Sequence, residues 1–92
     1  MYDNPYFMST FHLQKLGRRI RELRGHRGLT QSGLAQQASV TRLTVIAIEA
    51  GRESVAIGSY ARVAAALGAE LTTSALTRPT LEELGGIFNV TT

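Results

Sequence analysis

Apolar positions recur at helical spacing over four stretches of the chain. From about residue 12, Leu13, Leu16, Ile20 and Leu23 fall three or four apart on one stripe, with arginines on the other faces, and predict a first helix. Ser9 or Thr10 would cap its start. Gly28 would end it, because a residue without Cβ accepts the left-handed backbone that closes a helix. Thr30 stands as the N-cap of a short second helix from Gln31 to Ala38, with Leu34, Ala35 and Ala38 facing inward. After Ser39-Val40-Thr41, Thr41 caps a third helix of about two and a half turns, closed by Gly51. A fourth runs from Ile57 to Leu67, with Ile57, Tyr60, Val63 and Leu67 as its buried stripe, and ends at Gly68.

The flanks break this period. Residues 1–10 show no periodicity, and Pro5 argues against a helix, so they read as a flexible tail from which Tyr2, Tyr6 or Phe7 pack on the core or a partner. Residues 70–76 are rich in Thr and Leu and read as a strand. Arg78-Pro79 interrupts the chain, and Thr80-Leu81-Glu82-Glu83 has the form of a capping box opening a small helix with Leu84, Ile87 and Phe88, weakened by Gly85-Gly86. The expected organisation is therefore a tail (1–10), a helical domain (11–68) and an extension (69–92). The fold class is all-α, with four to five helices and one short C-terminal strand.

The turn between the second and third helices is only about three residues long, so the two must cross steeply and touch near it. Close crossing needs small side chains, and Ala35 and Ala38 supply them. Leu34, Val40, Val45 and Ile48 then point beneath, where the first and fourth helices complete the core. The opposite side of the third helix carries Leu43 and Ala47, bordered by Thr44 and Ile46. An outward face of this kind suits a DNA major groove, with its N-terminal turn leading.

Composition narrows the possibilities. With 92 residues, 43% hydrophobic and 18% charged, the chain has room for one domain with a modest core. Without cysteine there are no disulfides, thiolate nucleophiles or cysteine-based zinc sites. No apolar run reaches membrane-spanning length, and no secretory pattern opens the chain, so a cytoplasmic protein, nucleoid-associated through DNA, is expected. His12 and His26 lack partners for a metal site, and no nucleophile or acid–base arrangement is recognisable. The expectation is a non-enzyme without metal or cofactor. The net charge is +3, and five of the nine arginines (Arg18, Arg19, Arg21, Arg24, Arg27) crowd one stretch. Their planar guanidinium forks suit phosphate oxygens. The competing reading is a solvated helix face with one or two members paired to Glu22 or Glu49.

Residues 16–67 resemble the Xre-type, Cro and phage-repressor-like (lambda-repressor-like) helix-turn-helix domains. The likeness is carried by Leu29-Thr30-Gln31 before Leu34-Ala35, then Val40-Thr41-Arg42, Ile48-Glu49-Ala50-Gly51-Arg52, and Ala64-Ala65-Ala66-Leu67-Gly68. It implies double-stranded DNA as partner. Gln31, at the start of the second helix, would contact a phosphate or buttress the third helix, with Ser32 beside it. Arg42, Leu43 and Ala47 match positions that face base edges, with Thr41 and Thr44 in the same leading turn. Arg52 matches a phosphate-contacting position, and Arg24 and Glu49 match a structural ion pair. Two departures stand out. Ser39 occupies a turn position usually held by Gly, so it takes up a left-handed backbone or a different turn. Ile46 and Ala47 replace polar groups, leaving Arg42 as the candidate for bidentate contact with guanine.

A lone strand cannot satisfy its own backbone groups, so residues 70–76 are expected to pair with the same strand of a second copy. Leu71, Thr73, Leu76, Leu84 and Phe88 would line that dimer contact; the alternative is a plain linker. The expected function is a sequence-specific transcriptional regulator, a repressor on a pseudo-palindromic operator. The alternative is an antitoxin that also binds a toxin enzyme, because Leu67-Gly68-Ala69-Glu70-Leu71 resembles the strand entry of Hip-type antitoxins. A third reading, a helix-turn-helix used only against proteins, draws on Ile46 and Ala47.

Overall fold

In a computed structural model of the chain, the described residues are 5–75. They form four helices: α1 (Pro5–His26), α2 (Gln31–Ala38), α3 (Arg42–Glu49) and α4 (Ile57–Ala66). Thr30 caps α2, its hydroxyl oxygen accepting from the Gly33 N–H at 2.9 Å. Thr41 caps α3 in the same way, accepting from Thr44 N–H at 3.1 Å. Each cap satisfies one of the amide donors that a helix start leaves unpaired. Gly28, Gly51 and Gly68 sit at φ values of 66°, 74° and 71°, where each helix or its final turn ends.

Ile20, Leu34, Ala35, Ala38, Val45, Ile48, Tyr60, Val63 and Leu67 make the core. Leu13, Leu16, Leu23, Leu29, Val40 and Val55 pack on its rim. Helices α2 and α3 cross close to their connecting turn, and α4 closes the core against α2. Ser39 adopts φ 58°, ψ 42°, so the turn is made by a left-handed serine and not by a different geometry. Its amide donates back to carbonyls at the end of α2, which helps to hold that conformation.

Four expectations need correction. α1 begins at Pro5, so residues 5–10 are helical and not a tail. Proline is barred from a helix interior but suits the first position, where its missing N–H has no intrahelical acceptor. Ser9 and Thr10 consequently lie within α1, their hydroxyls donating to the Tyr6 carbonyl at 2.9 and 3.0 Å, and do not cap it. Ile57 is 73% exposed because it occupies the open first turn of α4 ahead of the contact with α2. No strand forms among the described residues: 69–75 follow α4 with neither helix nor strand, since pairing requires a second strand and the other described residues offer none. Leu71 instead packs against the chain's own core, and Leu13, Leu16, Leu71 and Thr73 line a groove of about 580 Å³. Leu76, Leu84, Phe88 and the expected terminal helix lie outside the described residues.

Candidate nucleic-acid interface

The first requirement of an outward-facing helix is that its back be fixed. Val45 and Ile48 of α3 are completely buried, whereas Leu43, one turn away on the other side, is 75% exposed. Arg42 is exposed at the first position, and Thr44, Ile46 and Ala47 are half-buried at the margins. The apolar back and open front therefore coexist on one eight-residue helix. Thr41 and Thr44 are partly committed to the cap, their hydroxyl oxygens 2.9 Å apart. Ser32 is exposed in the first turn of α2.

One carboxylate fastens three helices. Glu49 at the end of α3 accepts from Arg24 Nε of α1 on Oε2 at 2.6 Å and from Arg24 Nη2 on Oε1 at 3.1 Å, a two-pronged contact with one guanidinium donor on each oxygen. Arg24 Nη1 donates to the Leu29 carbonyl at 3.0 Å, gripping the link between α1 and α2. The Gln31 amide of α2 donates to Glu49 Oε1 at 3.2 Å. The hydrogen bond to Glu49 and its charge, opposed by burial, hold the Arg24 guanidinium above its already high ordinary pKa. Gln31 thus buttresses α3, with one amide hydrogen used for it.

A second fastening joins the same two helices, α1 and α3, through their backbones. Gly17 of α1 approaches so closely that a Cβ there would stand 2.5 Å from the Ile48 carbonyl oxygen and 2.6 Å from that of Glu49. Sequence reasoning missed this contact. Its signal was present: Gly17 falls on the same three-and-four stripe as Leu13, Leu16 and Ile20, where a side chain would otherwise be expected. Also unforeseen, the buried Tyr60 of α4 donates its hydroxyl to the Arg52 carbonyl at 2.8 Å. That bond anchors the backbone just after α3 and leaves the Arg52 side chain exposed. Burial raises the Tyr60 pKa above the usual value for a phenol.

The basic stretch on α1 divides by environment. Arg24 is the structural member. Arg19 meets Glu22 at 3.2 Å with both side chains largely in water, a contact of little energetic weight. Arg18, Arg21 and Arg27 are exposed. Among the described residues no group of three or more His, Asp or Glu is placed to hold a metal, and no helix is long and apolar enough to cross a membrane.

Residues 15–76 match the sequence profile of a helix-turn-helix domain, which takes in more than half of the chain. A stretch of 51 residues is 51% identical to a protein of Methanothermobacter thermautotrophicus described as an uncharacterized HTH-type transcriptional regulator. The alignment covers 55% of this chain and 74% of that protein.

Proposed function

The chain belongs to the helix-turn-helix domain family, and from that membership we propose that it regulates transcription by binding double-stranded DNA through the outward face of α3. The observation that carries this reading is the exposed Arg42–Leu43 edge on a helix locked from behind by Glu49, Arg24 and Gly17. A rigid helix with an open leading turn enters a major groove without having to give up internal contacts. Arg42 is the group for a guanine edge, Leu43 and Ala47 offer apolar contact to thymine methyls, and Arg52 takes a phosphate. These are binding roles, and the protein acts by occupancy and not by catalysis.

An eight-residue helix is about 12 Å long, close to the width of the groove, and so reads only a few base pairs. Useful specificity then calls for two copies. A homodimer with two-fold symmetry sets two such helices on one side of the duplex and reads an inverted repeat, which favours a repressor that occupies its operator. Binding to a labelled duplex measured over a range of salt tests the reading. Arg52→Ala is expected to weaken binding to all sequences alike and to reduce the slope of log K against log salt by about 0.9. Retention of the full slope would remove Arg52 from the phosphate contacts.

A further inference from the structure

The part of α1 that precedes the family's shared region points to an additional contact. The profile match begins at residue 15 and α1 begins at Pro5, so more than two turns of helix are added ahead of the matched residues. Tyr6, Thr10 and Gln14 are spaced four apart along this addition and thus share a face. That face forms one wall of a cleft of about 390 Å³, and the other wall is Ala50, Gly51, Arg52 and Glu53, the segment leaving α3.

We propose that Gln14 and Arg52 form a joint cradle for the DNA sugar-phosphate backbone at the exit of α3, so that the lengthened α1 serves as a second DNA-contacting element. The proposal rests on α3 entering a major groove. With the N-terminal turn of α3 leading into the groove, the segment that leaves its other end lies toward a phosphate strand that walls the groove. Whatever stands beside Arg52 meets the same strand.

Gln14 stands there with little freedom in its backbone. A Cβ on Gly51 would lie 2.7 Å from both the nitrogen and the Cα of Gln14, so the two backbones touch with no side chain between them. Gly51 also holds φ 74°, which keeps the exit of α3 turned toward α1. The Gln14 side chain is exposed, and its amide supplies two N–H donors to an anion. Thr10 contributes a wall and not a donor, since its hydroxyl proton goes to the Tyr6 carbonyl. Glu53 on the same rim repels phosphate, which confines the strand to the side shared by Arg52 and Gln14.

The test exchanges charge at Gln14 and at Gln37, an exposed glutamine at the end of α2 remote from Gln31. Gln14→Lys is expected to tighten binding to every duplex and to steepen the salt slope by about 0.9, whereas Gln37→Lys, with the same net charge, leaves both near wild type. Gln14→Glu is expected to weaken binding to all duplexes, and Gln37→Glu to leave it unchanged. Thermal melts of each variant establish that the fold is kept. Equal behaviour of Gln14→Lys and Gln37→Lys, with wild-type binding intact, would overturn the cradle alone. A wild-type protein that retains no duplex at low salt would overturn both the cradle and the DNA-binding reading beneath it.

Discussion

Glu49 shows how much a single side chain is asked to do here. Its two oxygens receive three donors from two other helices, and only 6% of its side-chain surface meets water. Removing it leaves Arg24, itself only 17% exposed, without its counter-charge. Glu49→Ala is therefore expected to cost about 3 kcal/mol of folding stability, the low end for a buried pair because Arg24 keeps some contact with water. Gln31→Ala removes one hydrogen bond and is expected to cost about 1 kcal/mol. Urea denaturation distinguishes the two, and equal small losses would show that the node is not what secures α3. Tyr60 gives a pH dependence. Its folded-state pKa is raised, so its contribution is complete below the ordinary phenol value near 10 and is lost as the pH climbs through the raised value. Melting temperatures followed into alkali should fall more steeply for the wild type than for Tyr60→Phe; parallel curves would refute the assignment. At this scale the sequence was legible in part. The likeness to related domains named Arg24 and Glu49, and the apolar period placed Tyr60 inside. Neither disclosed that Tyr60 reaches the Arg52 carbonyl, because a backbone acceptor leaves no mark in composition.

At the scale of the elements, the boundaries readable in advance were those made by local chemistry. Thr30 and Thr41 cap, and Gly28, Gly51 and Gly68 end, because each acts within a turn of its own position. What escaped was decided by contact between distant segments. Pro5 reads as a breaker when its position in the helix is unknown, and as a natural first residue once that position is fixed. Gly17 reads as a weak point in a helix until α3 is laid across it. Two substitutions within α1 separate these readings. A Cβ at Gly25 meets nothing within 4 Å, so Gly25→Ala should stabilise the domain by about 0.5–1 kcal/mol through helix propensity alone. The same propensity favours Gly17→Ala, but collision with the Ile48 and Glu49 carbonyls is expected to outweigh it by about 1–2 kcal/mol, a net loss. Calorimetry reads both, and stabilisation by Gly17→Ala would mean that α1 and α3 do not pack as closely as described.

Across the whole molecule, the design separates a fixed interior from a reading surface. The core of α2, α3 and α4 with Ile20 of α1 is apolar throughout, and the described residues bury no unpaired polar side chain. The basic surface, by contrast, is exposed along α1 and at both ends of α3. The all-helical architecture and the outward edge of α3 were legible because they follow from periodicity. The strand expected from residue 70 does not form in residues 70–75, since strand formation depends on a partner that one sequence cannot specify, and Leu71 packs on the chain's own core. The central claim is that the open face of α3 reads duplex DNA, and selection of bound duplexes from a random pool at physiological salt tests it most directly. The account predicts an enriched inverted repeat with half-site centres about 10 bp apart, or a multiple of that, and loss of preference at one base pair per half-site in Arg42→Ala. A pool that emerges unenriched, with no duplex retained even in dilute buffer, would contradict it.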